Sequence, residues 1–244
     1  MANSKDNKLK LIVKTIYSPI ALGFIISLFL VLKSCNEPIP IFLKSSYFKI
    51  LFEKFLIGNT LIFNISSGFL VSITFYTILV YLPERQRKKR IKKRLNLQYK
   101  YFKKDVLTLF LSVETYPYSD DIIEELMDQD KFRLHFNKKN GDSQNKWQQV
   151  VNRLEGKILI SLLTEMEIFM TEISLVLNNV DIENEKVFTF FKTLSQQVYR
   201  LKNTTNDYDE IKSLGRFLYE VFAGFSFIDG YRKEDIIQSM IDSI

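Results

Sequence analysis

The sequence predicts an all-α protein: an N-terminal two-helix transmembrane hairpin followed by a cytoplasmic antiparallel helical bundle. Three observations predict it. Two stretches carry no charge, residues 15–32 and residues 55–83. A dense basic run starts directly after the second stretch. Beyond that run, apolar residues recur at spacings of three, four and seven, the period of amphipathic helices.

The first apolar stretch covers 18 residues and the second 29. About 20 are needed to cross a hydrocarbon layer of ~30 Å, so the second fits with room to tilt. Backbone polar groups must be satisfied inside a bilayer, so both stretches are expected to be helices. Lys and Arg beside span ends stay cytoplasmic. Lys5, Lys8, Lys10 and Lys14 precede the first span, and residues 85–104 hold eleven Lys or Arg. Both termini are therefore expected in the cytoplasm. Residues 33–54 between the spans also hold four lysines, together with apolar segments suited to an interface. A cleaved signal peptide is disfavoured, because Lys33 would sit beside the cleavage position.

Charge divides the chain further. Residues 1–114 carry 19 Lys and Arg against 6 Asp and Glu, while residues 115–244 carry 15 against 22. That places a basic collar before a mildly acidic domain. The expected organisation is a transmembrane hairpin over 1–84, a basic juxtamembrane helix over 85–114 and the bundle over 115–244. The collar is Arg85, Arg87, Lys88, Lys89, Arg90, Lys92, Lys93 and Arg94. Its position beside a span end favours anionic membrane lipids over nucleic acid.

The second span is rich in small and polar residues. Gly68 and Ser72 stand at a small-xxx-small spacing, with Asn64 one turn before. Such residues let helices approach closely and hydrogen-bond across the contact. They are expected to pack either against the first span, where Ala21 and Gly23 offer a small patch, or against a second copy in a homo-oligomer. No ionisable residue lies in either span, which disfavours a proton relay.

At the exit of the second span, Pro83 is read as a first-turn residue, and the helix after it runs along Ile91, Leu95, Phe102, Val106, Leu109 and Val113 until Tyr116 and Pro117. A short helix follows, with Asp121 and Glu124 spaced as a capping box. Residues 137–142 read as a loop. One long helix is expected over 143–180, carried by Trp147, Val151, Leu154, Ile158, Leu162, Phe169, Ile173 and Val176. Two more are expected over 183–201 and 207–225, the latter with Asp207 and Glu210 as a second capping box. A turn at Asp229 and Gly230 precedes a closing helix with Ile237 and Ile241 facing inward. No sheet is expected.

Chemistry is not encoded in any recognised pattern. There is no phosphate-binding glycine loop, nucleophile elbow or zinc-binding helix signature. The single cysteine, Cys35, and the single histidine, His135, exclude sites built from several of either. Cys35 is read as an unpaired residue outside the first span, able to pair between subunits. Asp120, Asp121, Glu124 and Glu125 suit a helix start. Glu165 and Glu172 lack the histidine partner of a carboxylate metal site. His135 and Trp147 read as structural. No catalytic, cofactor-binding or metal-binding residues are expected, and no enzymatic activity.

Two stretches carry a resemblance. One is Leu82-Pro83-Glu84-Arg85-Gln86-Arg87-Lys88-Lys89-Arg90 after the second span. The other is Phe222-Ala223-Gly224-Phe225-Ser226-Phe227-Ile228-Asp229-Gly230-Tyr231. Together with the architecture of residues 1–110, they resemble the small two-span membrane effectors of bacterial anti-phage defence, including those paired with retrons. The resemblance implies an inner-membrane protein that damages the membrane when its cytoplasmic domain senses infection, with a cytoplasmic protein partner. The alternative is a membrane-anchored scaffold or adaptor without activity of its own.

Overall fold

The computed structural model describes residues 20–35, 53–113, 118–139, 144–226, 228 and 230–244. The expected N-terminal lysines, most of the inter-span loop and the Tyr116–Pro117 helix stop lie outside these residues. The chain divides into two compact units, Met1–Arg87 and Lys88–Ile244.

The first unit holds helix α1 (Ile20–Ser34) and helix α2 (Asn59–Tyr76), which passes through a π-helical turn (Thr77–Tyr81) into helix α3 (Leu82–Ser112). The helical run Asn59–Ser112 is long and apolar enough in its first part to cross a membrane. Helix α1 is apolar but has 15 residues, which rise only ~22 Å. The expected hairpin of two full spans is therefore not supported: the described residues contain one span-length apolar helix and one short one. The helix also does not restart at Pro83. Proline cannot donate to the carbonyl four residues back and its ring crowds that carbonyl. The wider π turn immediately before it opens the ladder, so the helix passes through proline without ending.

The second unit is helical. Helix α3 is followed by α4 (Asp120–Leu126), α5 (Gln129–Phe136), α6 (Lys146–Asn152), α7 (Gly156–Asn179), α8 (Glu185–Leu201), α9 (Tyr208–Ala223) and α10 (Ile236–Asp242). Helix α7 packs on α8, α9 packs on α5 and α6, and α10 packs on α8. The core face of α3 buries Leu95, Tyr99, Phe102, Val106, Leu107 and Phe110. Aromatic rings fill the centre. Phe102 stacks on Phe169 at 4.8 Å, and Phe110 meets Trp147 edge-on at 5.2 Å. Such pairs add to the free energy of burying the rings.

Several boundaries differ from the sequence expectation. The long helix over 143–180 is two helices, α6 and α7. Leu154 is fully buried in the break, and Gly156 takes φ +54°, where a side chain would be strained. The apolar stripe continues across the break, so its period does not reveal it. The short helix near residue 121 is likewise two, because Asp128 accepts from the backbone of Asp130 and Lys131 and starts α5 afresh. The Asp121–Glu124 capping box is absent; Ser119 takes the cap position and Glu124 faces Lys100 and Lys104. Asp207 does cap α9, but Glu210 receives Thr205 rather than closing the box. A full capping box occurs at Asn145 and Gln148. After Gly224 ends α9 at φ +59°, a two-stranded antiparallel ladder forms, β1 (Phe225–Ser226) with β2 (Gly230–Tyr231), where no sheet was expected.

Candidate functional site

Within the first unit, α2 turns its residues two ways. Ser66 is buried, and Phe69 fills the space in front of Gly23 of α1, where an added Cβ would meet its ring at 3.1 Å. Asn64, Gly68 and Ser72, spaced four apart, form one exposed stripe on a different side. A Cβ at Gly68 would meet nothing within 4 Å. Gly23 of α1 thus receives Phe69 while Ala21 is exposed, and the stripe is uncovered among the described residues.

The polar groups of α2 differ in how they are satisfied. Ser72, Thr74 and Thr77 donate to the carbonyls of Gly68, Leu70 and Ile73, at 2.9, 2.8 and 2.8 Å. This hydroxyl-to-backbone pattern lets a polar residue sit in an apolar helix. The Asn64 amide makes no hydrogen bond among the described residues.

The basic collar splits into two groups. Lys88 reaches Glu183 at 3.3 Å, Lys92 donates to the carbonyl of Asp242 at 2.5 Å, and Arg94 pairs with Glu172 at 2.5 Å. These three are held by the bundle. Arg85, Lys89, Arg90 and Lys93 are exposed and make no ion pair among the described residues, while Arg87 is exposed. The collar is thus both a surface charge and a set of contacts to α7, the α7–α8 connection and the C-terminal helix.

A polar cluster in the second unit was not anticipated from sequence. Tyr99 donates its hydroxyl to the Asp235 carboxylate at 2.8 and 2.9 Å. Lys103 donates to the same carboxylate at 3.2 Å and to the carbonyl of Met127 at 2.6 Å. Asp235 also accepts from the backbone of Ile237 and Gln238, capping α10. One carboxylate therefore ties α3 to the start of the last helix. Burial, then the negative charge of Asp235 and its hydrogen bond, pushes the Tyr99 phenol well above its ordinary range. The available signal was Lys103 itself, a cation one turn after Tyr99 on the apolar face of α3.

The remaining candidates take structural places. His135 is half-buried with its ring against Phe136, 4.9 Å between centroids. Trp147 lies in the aromatic core. Glu172 serves Arg94, and burial raises the Glu165 carboxyl, helped by nearby Asp105. Burial likewise pushes the Tyr219 phenol up to about 12, with the Tyr231 hydroxyl beside it. No group of three or more potential metal ligands occurs among the described residues. Cys35 is half-buried and carries no disulfide. No family model, curated protein or solved structure matches the chain.

Proposed function

We propose that the protein is an integral membrane protein of the bacterial inner membrane, whose cytoplasmic bundle, once triggered, changes how its spans associate and so perturbs the bilayer as an abortive-infection effector. The observation that carries this reading is the uncovered Asn64, Gly68 and Ser72 stripe on a span-length helix. A carboxamide in hydrocarbon with no partner among the described residues favours a partner on another helix. A glycine facing open space gives that helix room to approach, and a second copy of the chain supplies an identical stripe.

Other features support membrane placement. Leu61, Ile65, Phe75 and Leu79 are 60–67% exposed. A water-facing helix with that surface would be a large apolar patch. The charge-free run of residues 15–32 and helix α1 together approach the ~20 residues of a second span. Two spans, with Arg85, Lys89 and Arg90 at the inner surface, would put both termini in the cytoplasm. The π turn lies at the junction of span and collar, a place where a shift in the cytoplasmic helix would enter the membrane.

Inducible expression with a membrane-potential dye tests the effector. Depolarisation with the wild-type chain, lost in Gly68→Ile, is expected. Unchanged potential under every trigger, phage infection included, would overturn it. The stripe of exposed Ile160, Ile168 and Leu175 on α7 favours a second reading, an adaptor that docks a cytoplasmic protein there. Harmless overexpression and a stable pull-down partner lost in Ile168→Asp would favour that reading instead.

A further inference from the structure

Beside the Tyr99, Lys103 and Asp235 cluster, α3 and α10 enclose a groove of ≈ 510 Å³. Its volume lies within the ~300–1,000 Å³ of small-molecule sites. Lys93, Asn96 and Lys100 line it from α3, Gln238 from α10, and Lys103 lies in its wall. Lys93 and Lys100 are seven residues apart and share one helix face.

The charge in this groove is unbalanced. The Asp235 carboxylate is already occupied by Tyr99, Lys103 and two backbone N–H groups. Lys93 has no ion pair among the described residues. Lys100 has only Glu124 at 3.8 Å, with both side chains about half exposed, a contact that contributes little. Lys93 and the weakly paired Lys100 therefore face an incoming anion, flanked by the amides of Asn96 and of Gln238, whose nitrogen also donates to Asp242 Oδ2 at 3.3 Å. Leu97 and Met127 add apolar wall beside them.

We propose that this groove binds a soluble phosphorylated small molecule carrying at least two negative charges. A lipid headgroup supplies the same chemistry, and the two arms of the test separate the two sources.

The test is calorimetric titration of the full chain in neutral detergent with sodium pyrophosphate, whose readout does not depend on any effect on membranes. Binding is expected, weakened about tenfold or more in Lys93→Gln/Lys100→Gln and unchanged in Lys89→Gln/Arg90→Gln. Both lysines are surface residues, and thermal unfolding of each double variant checks that the bundle is intact. No binding, or equal loss in both double variants, would overturn the proposal. In a parallel arm, flotation with vesicles containing phosphatidylglycerol should depend on Lys89 and Arg90. Flotation that depends on Lys93 and Lys100, without pyrophosphate binding, would assign the groove to headgroups and overturn the soluble source.

Discussion

The helical run from Asn59 to Ser112 obeys two opposite rules along its length. Over α2 it exposes Leu61, Ile65 and Phe75 and buries Ser66. Over α3 it buries Leu95, Phe102, Val106 and Phe110 and exposes Lys89, Arg90 and Lys100. The backbone geometry differs only at the π turn. On the proposed membrane placement of α2, what differs is the medium around each segment. Apolar side chains gain by leaving water, so α3 turns them inward. A segment that turns them outward suits surroundings that are themselves apolar, as the proposed span would have.

The first way to break this comparison is to delete one aromatic from each segment. Phe102→Ala should destabilise the bundle by about 3–5 kcal/mol, because the ring is buried and stacked on Phe169. Phe75→Ala should leave bundle unfolding within about 0.5 kcal/mol. Denaturant melts of the full chain in detergent measure both, and equal losses would remove the distinction.

A polar counterpart sharpens it. In α2, Ser72 and Thr74 donate to carbonyls of their own helix, whereas in α3 Tyr99 and Lys103 reach the carboxylate that starts α10. Asp235→Ala leaves Lys103 without its carboxylate and α10 without its cap. A loss of about 3 kcal/mol is expected, with α10 amides exchanging hydrogen faster. A loss below about 1 kcal/mol would show that the cluster does not fasten the C-terminal helix.

The smallest effect is read by pH. The folded state favours the neutral Tyr99 phenol, since its pKa is raised by burial and by Asp235. Tyr99 therefore contributes stability that is fully present below pH ~10 and is lost as pH rises above it. Tyr99→Phe should cost about 1.5 kcal/mol at neutral pH and make the alkaline decline shallower. An unchanged alkaline decline would place its cause elsewhere.

How much of this was legible in the sequence depended on the scale of the signal. The helical class, the apolar stripes of α3 and α7 and the presence of helices at α8 and α9 were legible in the sequence, as were Ile237 and Ile241 as buried residues. Breaks hidden within a continuing stripe did not. Leu154 keeps the apolar rhythm although it lies between α6 and α7, and only the local backbone, with Gly156 at positive φ where α7 begins, marks the break. Capping boxes read from spacing alone failed at Asp121, because Ser119 and Asp121 are equally suited to the position. The Gly68 stripe and the collar were legible as patterns. Their division into covered and uncovered, or fastened and free, required the placement of Phe69, Glu172 and Glu183. The Tyr99, Lys103 and Asp235 cluster joins residues more than 130 positions apart, beyond the reach of any local pattern.

The central proposal is that α2 lies in the membrane while α3 lies in the cytoplasm. Single cysteines at Leu61, Phe75 and Leu97, introduced in a Cys35→Ala chain, test it directly with a membrane-impermeant maleimide on bacterial spheroplasts. Leu61→Cys and Phe75→Cys should resist labelling before and after permeabilisation, and Leu97→Cys should label only after it. Labelling of Phe75→Cys in intact spheroplasts, or of both α2 positions as soon as the membrane is opened, would contradict it.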